Sequence, residues 1–378
     1  MEENKVKFRR NVLFFAFLSL TLVTTTIAGA EWMTGKALMY YSPTLTFTEV
    51  LNGLNYSIPF LGILTFHEFG HYLTARYYQV KVTLPTYVPF WLGFLGFPLS
   101  IGTFGAFIRI LEPVRSRKEY FDIGVAGPLA GFIVSLFVLY YGFTHLPDPK
   151  HIFSIHPEYV QYGPNYADSV YKEEGLFKLG DNLVFLFFKK YVAPDPALVP
   201  NPYEIYHYPF LFAGFLALFF TALNLLPMGQ LDGGHVLYGL FGARNHERIS
   251  VSLFLVLLFF AGIGIVSPYQ PVKELIFSVP LYAGFLYISL YSLKVETISR
   301  IMIAVGILAS QFILVTIIPG ARGYEGWLLI ALLIGRFLGV YHPPVHDDRP
   351  LSPDRKIIGW ITLIIFIISF SPRPFVYN

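Results

Sequence analysis

Residues 66–72 read Phe66-His67-Glu68-Phe69-Gly70-His71-Tyr72, inside an otherwise apolar run from Ile58 to Tyr78. The pattern is HExxH. On a helix, positions four apart share a face, so His67 and His71 can offer two imidazole nitrogens to one metal ion. Glu68 follows about 100° round the helix from His67, where its carboxylate can reach a water on that ion without ligating it, the placement of a general base. Ionisable groups at membrane depth are costly and usually line a cavity or bind something.

The rest of the chain supports a membrane setting. Of 378 residues, 54% are hydrophobic and 13% charged, against about 25% charged in soluble proteins. One globular core cannot bury that much apolar surface, so the bilayer must solvate much of it. The formal charge is only +3, and the 27 Lys and Arg form no basic face, which argues against nucleic-acid binding. The absence of Cys removes disulfides, thiol catalysis and Cys-based zinc sites, so any metal must be held by His, Asp or Glu.

About nine apolar stretches are candidate spans, some of them short or interrupted by Gly and Pro: 11–30, 58–78, 121–143, 207–228, 250–267, 275–292, 298–318, 324–340 and 357–371. The expected fold is an all-α polytopic membrane protein. Lys5, Lys7, Arg9 and Arg10 precede the first span and place the amino terminus in the cytoplasm. The first run lacks a clear small-residue cleavage site and reads as an uncleaved span. Basic residues after the second span (Lys81, Arg109, Arg115, Arg117, Lys118) and in a short loop after the fourth (Arg244, Arg248) fit the same alternation. Residues 144–206 carry eight acids, among them Glu173, Glu174 and Glu204, against five lysines, and read as an extracytoplasmic cap. In 84–110, Gly93, Gly96, Gly102 and Gly105 with Pro85, Pro89 and Pro98 forbid a long helix, and alternating aromatics suit a short two-stranded element.

A catalytic zinc takes three protein ligands and keeps one open position. The third ligand is sought in Asn224-Leu-Leu-Pro227-Met-Gly-Gln-Leu231-Asp232-Gly233-Gly234-His235, where Pro227 and three glycines break a helix. Asp232 is the first candidate, with His235 as its rival. Asn224 offers an amide donor to a developing oxyanion, or an ordinary interhelical contact. His342-Pro-Pro-Val-His346-Asp347-Asp348, flanked by prolines, reads as a solvated connector rather than a second metal cluster.

HEFGH followed by NLLPMGQLDGG resembles the site-2 protease family of intramembrane zinc metalloproteases. Gly102-Thr-Phe-Gly105-Ala-Phe-Ile-Arg109 is similar to that family's membrane hairpin, and Val125-Ala-Gly127-Pro128-Leu-Ala-Gly131 to the start of its third core helix. The resemblance implies one Zn2+ per chain on His67, His71 and Asp232, with Glu68 as general base and Asn224 assisting substrate or transition-state binding. It also implies transmembrane proteins as substrates and a site-2 protease-like core over 58–240. Residues 1–57 then form an N-terminal span with its connector, and 241–378 the C-terminal helices. Residues 144–206 are too short for the PDZ domain that many members carry, so the chain is most similar to the PDZ-lacking branch with extra C-terminal spans, which includes plant plastid proteins. With no Ser- and Arg-rich transit segment, the expected location is a bacterial or archaeal cell (inner) membrane. The competing functions are a polytopic transporter, which would show pseudo-symmetric halves, and an inactive membrane scaffold.

Overall fold

The computed structural model describes residues 2–40, 42–97, 100–172 and 176–377. Pro98, Glu173 and Glu174 lie outside the described residues. In chain order the helices are α1 (Glu2–Thr34), α2 (Phe47–Asn52), α3 (Leu54–Tyr77), α4 (Arg117–Thr144), α5 (His151–Ile155), α6 (Ala167–Val170), α7 (Leu183–Tyr191), α8 (Pro209–Asn224), α9 (Asp232–Ala261), α10 (Val272–Ser289), α11 (Thr297–Ile317), α12 (Gly326–Leu333) and α13 (Pro353–Ser369). The strands are β1 (Thr86–Pro89), β2 (Thr103–Phe107), β3 (Phe177–Leu179) and β4 (Phe375–Tyr377).

The protein is mostly helical and a multi-pass membrane protein. Among the described residues, four segments are long and apolar enough to cross a bilayer: Arg10–Thr34, Arg117–Thr144, Val272–Ser289 and Thr297–Ile317. The other five apolar stretches are also helical, but α8, α12 and α13 are short, α3 carries the HExxH residues, and α9 is broken at Gly242 (φ 75°, ψ 174°). Large apolar side chains such as Phe137, Phe277, Leu281 and Met302 point outward, where only lipid could solvate them favourably.

The chain divides into two compact units, Met1–Val114 with Val125–Asn224 and Ile364–Asn378, and Arg115–Gly124 with Leu225–Leu363. In the first unit, β1 and β2 pair antiparallel, Thr86 opposite Phe107 and Tyr87 opposite Ala106, so the two-stranded element expected in 84–110 is formed. Hydrogen bonds strap this hairpin and its connecting loop to two helices. Thr24 Oγ1 donates to the Gly102 carbonyl (2.7 Å) and Trp32 Nε1 to that of Ser100 (3.0 Å), both from α1. From α3, Tyr56 donates to the Ile101 carbonyl (3.0 Å), and the Thr65 hydroxyl lies 2.7 Å from that of Tyr87. Residues 144–206 contribute β3, which pairs with β4, nearly two hundred positions later.

In the second unit, Arg244 and Arg248 sit on α9, which resumes after the Gly242 break, and not in a loop as the charge pattern suggested. The stretch 342–348 is also more than a solvated connector. His342 stacks on Tyr238 (ring centroids 3.9 Å apart) and lies 2.8 Å from His235 Nδ1, while Arg117 N–H donates to the Asp347 carbonyl. These contacts pack the segment against α4 and α9.

Gly102 has φ +85°, and a Cβ there would fall 2.4 Å from Thr25 Cα; Gly96 has φ +81° with open space around it. Gly102→Ala is therefore expected to lose ~2 kcal/mol or more and Gly96→Ala ~1 kcal/mol, from strain alone. Thermal unfolding of the purified variants would show the order.

Candidate metal centre

The HExxH residues lie on α3, as the spacing requires, and His67, Glu68 and His71 are each only 6% exposed. The face they occupy packs against helices of the same unit. The two histidines turn their Nε2 atoms toward each other, 3.1 Å apart. Two nitrogens bound to one tetrahedral zinc at 2.0–2.1 Å lie about 3.3 Å apart, so this pair fits two ligands of a single ion with little adjustment.

Close approach of α4 holds the pair in place. A Cβ on Gly127 would fall 2.1 Å from His71 Nε2, and one on Gly131 would lie 3.1 Å from His67 Cβ. The approach is reciprocal, since a Cβ on Gly70 would meet the Ala126 carbonyl at 2.5 Å. Glycine at these three places lets one helix backbone lie flush against the imidazoles of the other. The resemblance flagged Gly127 and Gly131 only by position in the motif; their contact with the His67 and His71 side chains is what the sequence alone could not reveal.

Asn224, the last residue of α8, places its amide Nδ2 3.2 Å from His67 Nε2. A donor at that distance from His67 Nε2 can also reach an oxygen placed beside that nitrogen. Asn224 therefore belongs with His67 and His71 in the first unit.

Asp232 stands in the second unit as the first residue of α9, where a carboxylate complements the helix dipole. The local chain explains the paired glycines after it. A Cβ on Gly233 would fall 2.0 Å from the Leu225 carbonyl, and one on Gly234 2.3 Å from that of Gly229. The Gly229 N–H donates to Ser250 Oγ (2.9 Å), whose hydroxyl donates to the Val340 carbonyl (2.6 Å), fixing the turn before Asp232. His235, the rival ligand, is 2.8 Å from His342 through its Nδ1 and stacks on Tyr120.

The model of peptidase family M50 matches residues 55–266, more than half of the chain and both motifs. The chain belongs to this family, the site-2 protease family of zinc metalloproteases. Among curated proteins it is 28% identical over 200 residues to the probable zinc metalloprotease EGY1, chloroplastic, of Arabidopsis thaliana, covering 52% of this chain and 31% of that one. It is 30% identical over 188 residues to the probable zinc metalloprotease EGY2, chloroplastic, of Oryza sativa subsp. indica, covering 50% and 29%. A third, the probable zinc metallopeptidase EGY3, chloroplastic, of Arabidopsis thaliana, is 27% identical over 260 residues, covering 63% and 38%. The chain thus spans about a third of the length of these relatives. No solved structure matches it. The family's metal is zinc, and the paired imidazoles are suited to it.

Gly127→Ala is expected to weaken zinc binding at least ~10-fold by pressing on His71, the scale of losses when a ligand's support is disturbed. Gly62→Ala on α3, with open space around the added methyl, should leave affinity unchanged. Metal titration of both proteins would measure the contrast.

Proposed function

We propose that this chain is an intramembrane zinc metalloprotease that hydrolyses peptide bonds within or near transmembrane segments of other membrane proteins, in regulated intramembrane proteolysis. The observation that carries the reading is the pair of Nε2 atoms on α3, 3.1 Å apart and one residue from the buried Glu68. His67, His71 and Asp232 would hold one zinc ion, a donor set that matches the family pattern residue by residue. When bound, zinc supplies Lewis acidity to the scissile carbonyl and lowers the pKa of the attacking water.

The chain's own groups do the rest. A Glu68 carboxylate oxygen accepts the proton of that water and passes it to the leaving amine nitrogen. Asn224 Nδ2 donates a hydrogen bond to the developing oxyanion. The substrate must arrive unwound, because a helix seals its amides in internal hydrogen bonds. The β1–β2 sheet supports a means of holding it, since it has two strands only and β2 has no second strand beside it among the described residues. An extended segment added there would recover the hydrogen bonds that unwinding gives up.

We further propose that nine helices cross the membrane, with the amino terminus in the cytoplasm beside Lys5, Lys7, Arg9 and Arg10. The membrane is a cell (inner) membrane on this reading. The relatives' names place those proteins in chloroplasts.

Glu68→Gln should lower turnover of a transmembrane peptide by ~10²-fold or more while zinc stays bound, and His67→Ala should lose metal and activity together. Asn224→Ala should lower kcat by ~10²–10³-fold with zinc content unchanged. Metal analysis beside a cleavage assay in detergent separates these outcomes; cleavage retained in Glu68→Gln would reject the mechanism. A substrate helix containing Gly, Pro or Asn should be cut faster than an all-Leu one, and equal rates would remove the need for unwinding.

A further inference from the structure

A second group of ligating side chains lies in the first unit, between the end of α5 and the start of α8, and the proposed protease mechanism does not use it. His156, Glu204 and His207 bring His156 Nε2, His207 Nε2 and Glu204 Oε2 within 4.8 Å of one another. The separations are 3.2 Å between the two nitrogens, 3.4 Å from His207 Nε2 to Glu204 Oε2, and 3.8 Å from His156 Nε2 to the same oxygen. A circle through three atoms so spaced has a radius of about 2.0 Å, the length of a zinc–nitrogen or zinc–oxygen bond.

The hydrogen bonds around the cluster determine what it lacks. His207 Nδ1 lies 3.1 Å from the Met33 carbonyl, which can only accept, so Nδ1 carries the hydrogen and Nε2 of the neutral ring is a bare lone pair. His156 Nδ1 lies 3.0 Å from a Glu158 carboxylate oxygen and is committed in the same way. Glu204 Oε1 accepts from the Tyr171 hydroxyl, but Oε2 is buried without a hydrogen-bond partner. Glu204 and His207 are 2% and 1% exposed. Three lone-pair-bearing atoms therefore converge, an arrangement costly unless a cation or a shared proton sits among them.

The outer contacts resemble those that orient metal-bound histidines, where the second ring nitrogen donates to a carboxylate or a backbone carbonyl. His156 is pinned further by stacking on Tyr159, with ring centroids 4.5 Å apart. Its side chain is 24% exposed, which leaves a path for an ion to enter. Two imidazoles and one carboxylate suit a divalent transition-metal cation of the zinc class, whereas calcium and magnesium demand more oxygen ligands.

We propose that His156, Glu204 and His207 form a second metal site, separate from the HExxH centre, that binds a zinc-class divalent cation. Through the Met33 carbonyl held by His207, the ion would fasten residues 156–207 to the last turn of α1. Its role is structural. The site stands independently of the protease reading, because none of its ligands belongs to the HExxH centre.

The test is zinc stoichiometry of the full chain purified in detergent and loaded with Zn2+, for wild type, His71→Ala, His156→Ala and the double variant. Two ions in wild type, one in each single variant and none in the double variant are expected. In the His71→Ala background, added zinc should also raise the thermal unfolding midpoint, and the double variant should not respond. One ion in wild type and none in His71→Ala would overturn the second site while leaving the catalytic centre intact; a shared proton would then fill the cluster. One ion in wild type, one in His71→Ala and none in His156→Ala would keep this site and reject zinc at HExxH. If His156→Ala does not fold, Glu204→Gln keeps the side-chain volume and gives the same comparison.

Discussion

Everything at the HExxH centre depends on how closely two helix backbones approach. α4 lies against the histidine-bearing face of α3 because Gly70, Gly127 and Gly131 carry no Cβ, and at Gly127 even a methyl group would overlap His71 Nε2. An imidazole in an apolar helix is free to adopt several rotamers, each with a different direction for its lone pair. A backbone pressed against the ring removes most of that freedom. Preorganisation of the two nitrogens is thus a packing effect, obtained before any metal binds.

The same economy of side-chain volume recurs at the turn that leads into α9. Gly233 and Gly234 allow the chain to fold back on the carbonyls of Leu225 and Gly229, and Ser250 ties the turn to Val340. Asp232 is thereby fixed at a helix start, where a carboxylate complements the peptide dipoles. A flexible loop could not present a carboxylate as reproducibly. Backbone irregularity in a membrane protein needs internal partners for its polar groups, and here the Ser250 hydroxyl provides one.

Local patterns were readable from sequence, and distant pairings were not. His67, Glu68 and His71 were legible because helix periodicity places them within five residues of one another. The β1–β2 element was legible because glycines and prolines in 84–110 exclude helix, although its strapping by Thr24, Trp32 and Tyr56 was not. β3 went unseen since its three residues gain a partner only from β4, nearly two hundred positions later. Positive charge at Arg244 and Arg248 suggested a loop, but charge reports the preference for an aqueous boundary and not the backbone conformation there. His342 was placed in a connector because prolines flank it; stacking on Tyr238 depends on a contact that no local pattern encodes.

His156, Glu204 and His207 illustrate the limit most sharply. His156 and His207 are fifty-one positions apart, so no motif announces them, and Glu204 was one acid among eight that marked an outer segment. Charge counting treats such an acid as solvated, whereas burial makes it an obligation. A carboxylate oxygen with 2% exposure of its residue and no donor must be neutralised by a proton or by an ion. The fixed Nδ1 contacts of both histidines set their lone pairs toward that same oxygen, which favours an ion that can accept all three donors over a proton that can serve two. Where the HExxH pair is organised by close helix packing, this second group is organised by hydrogen bonds.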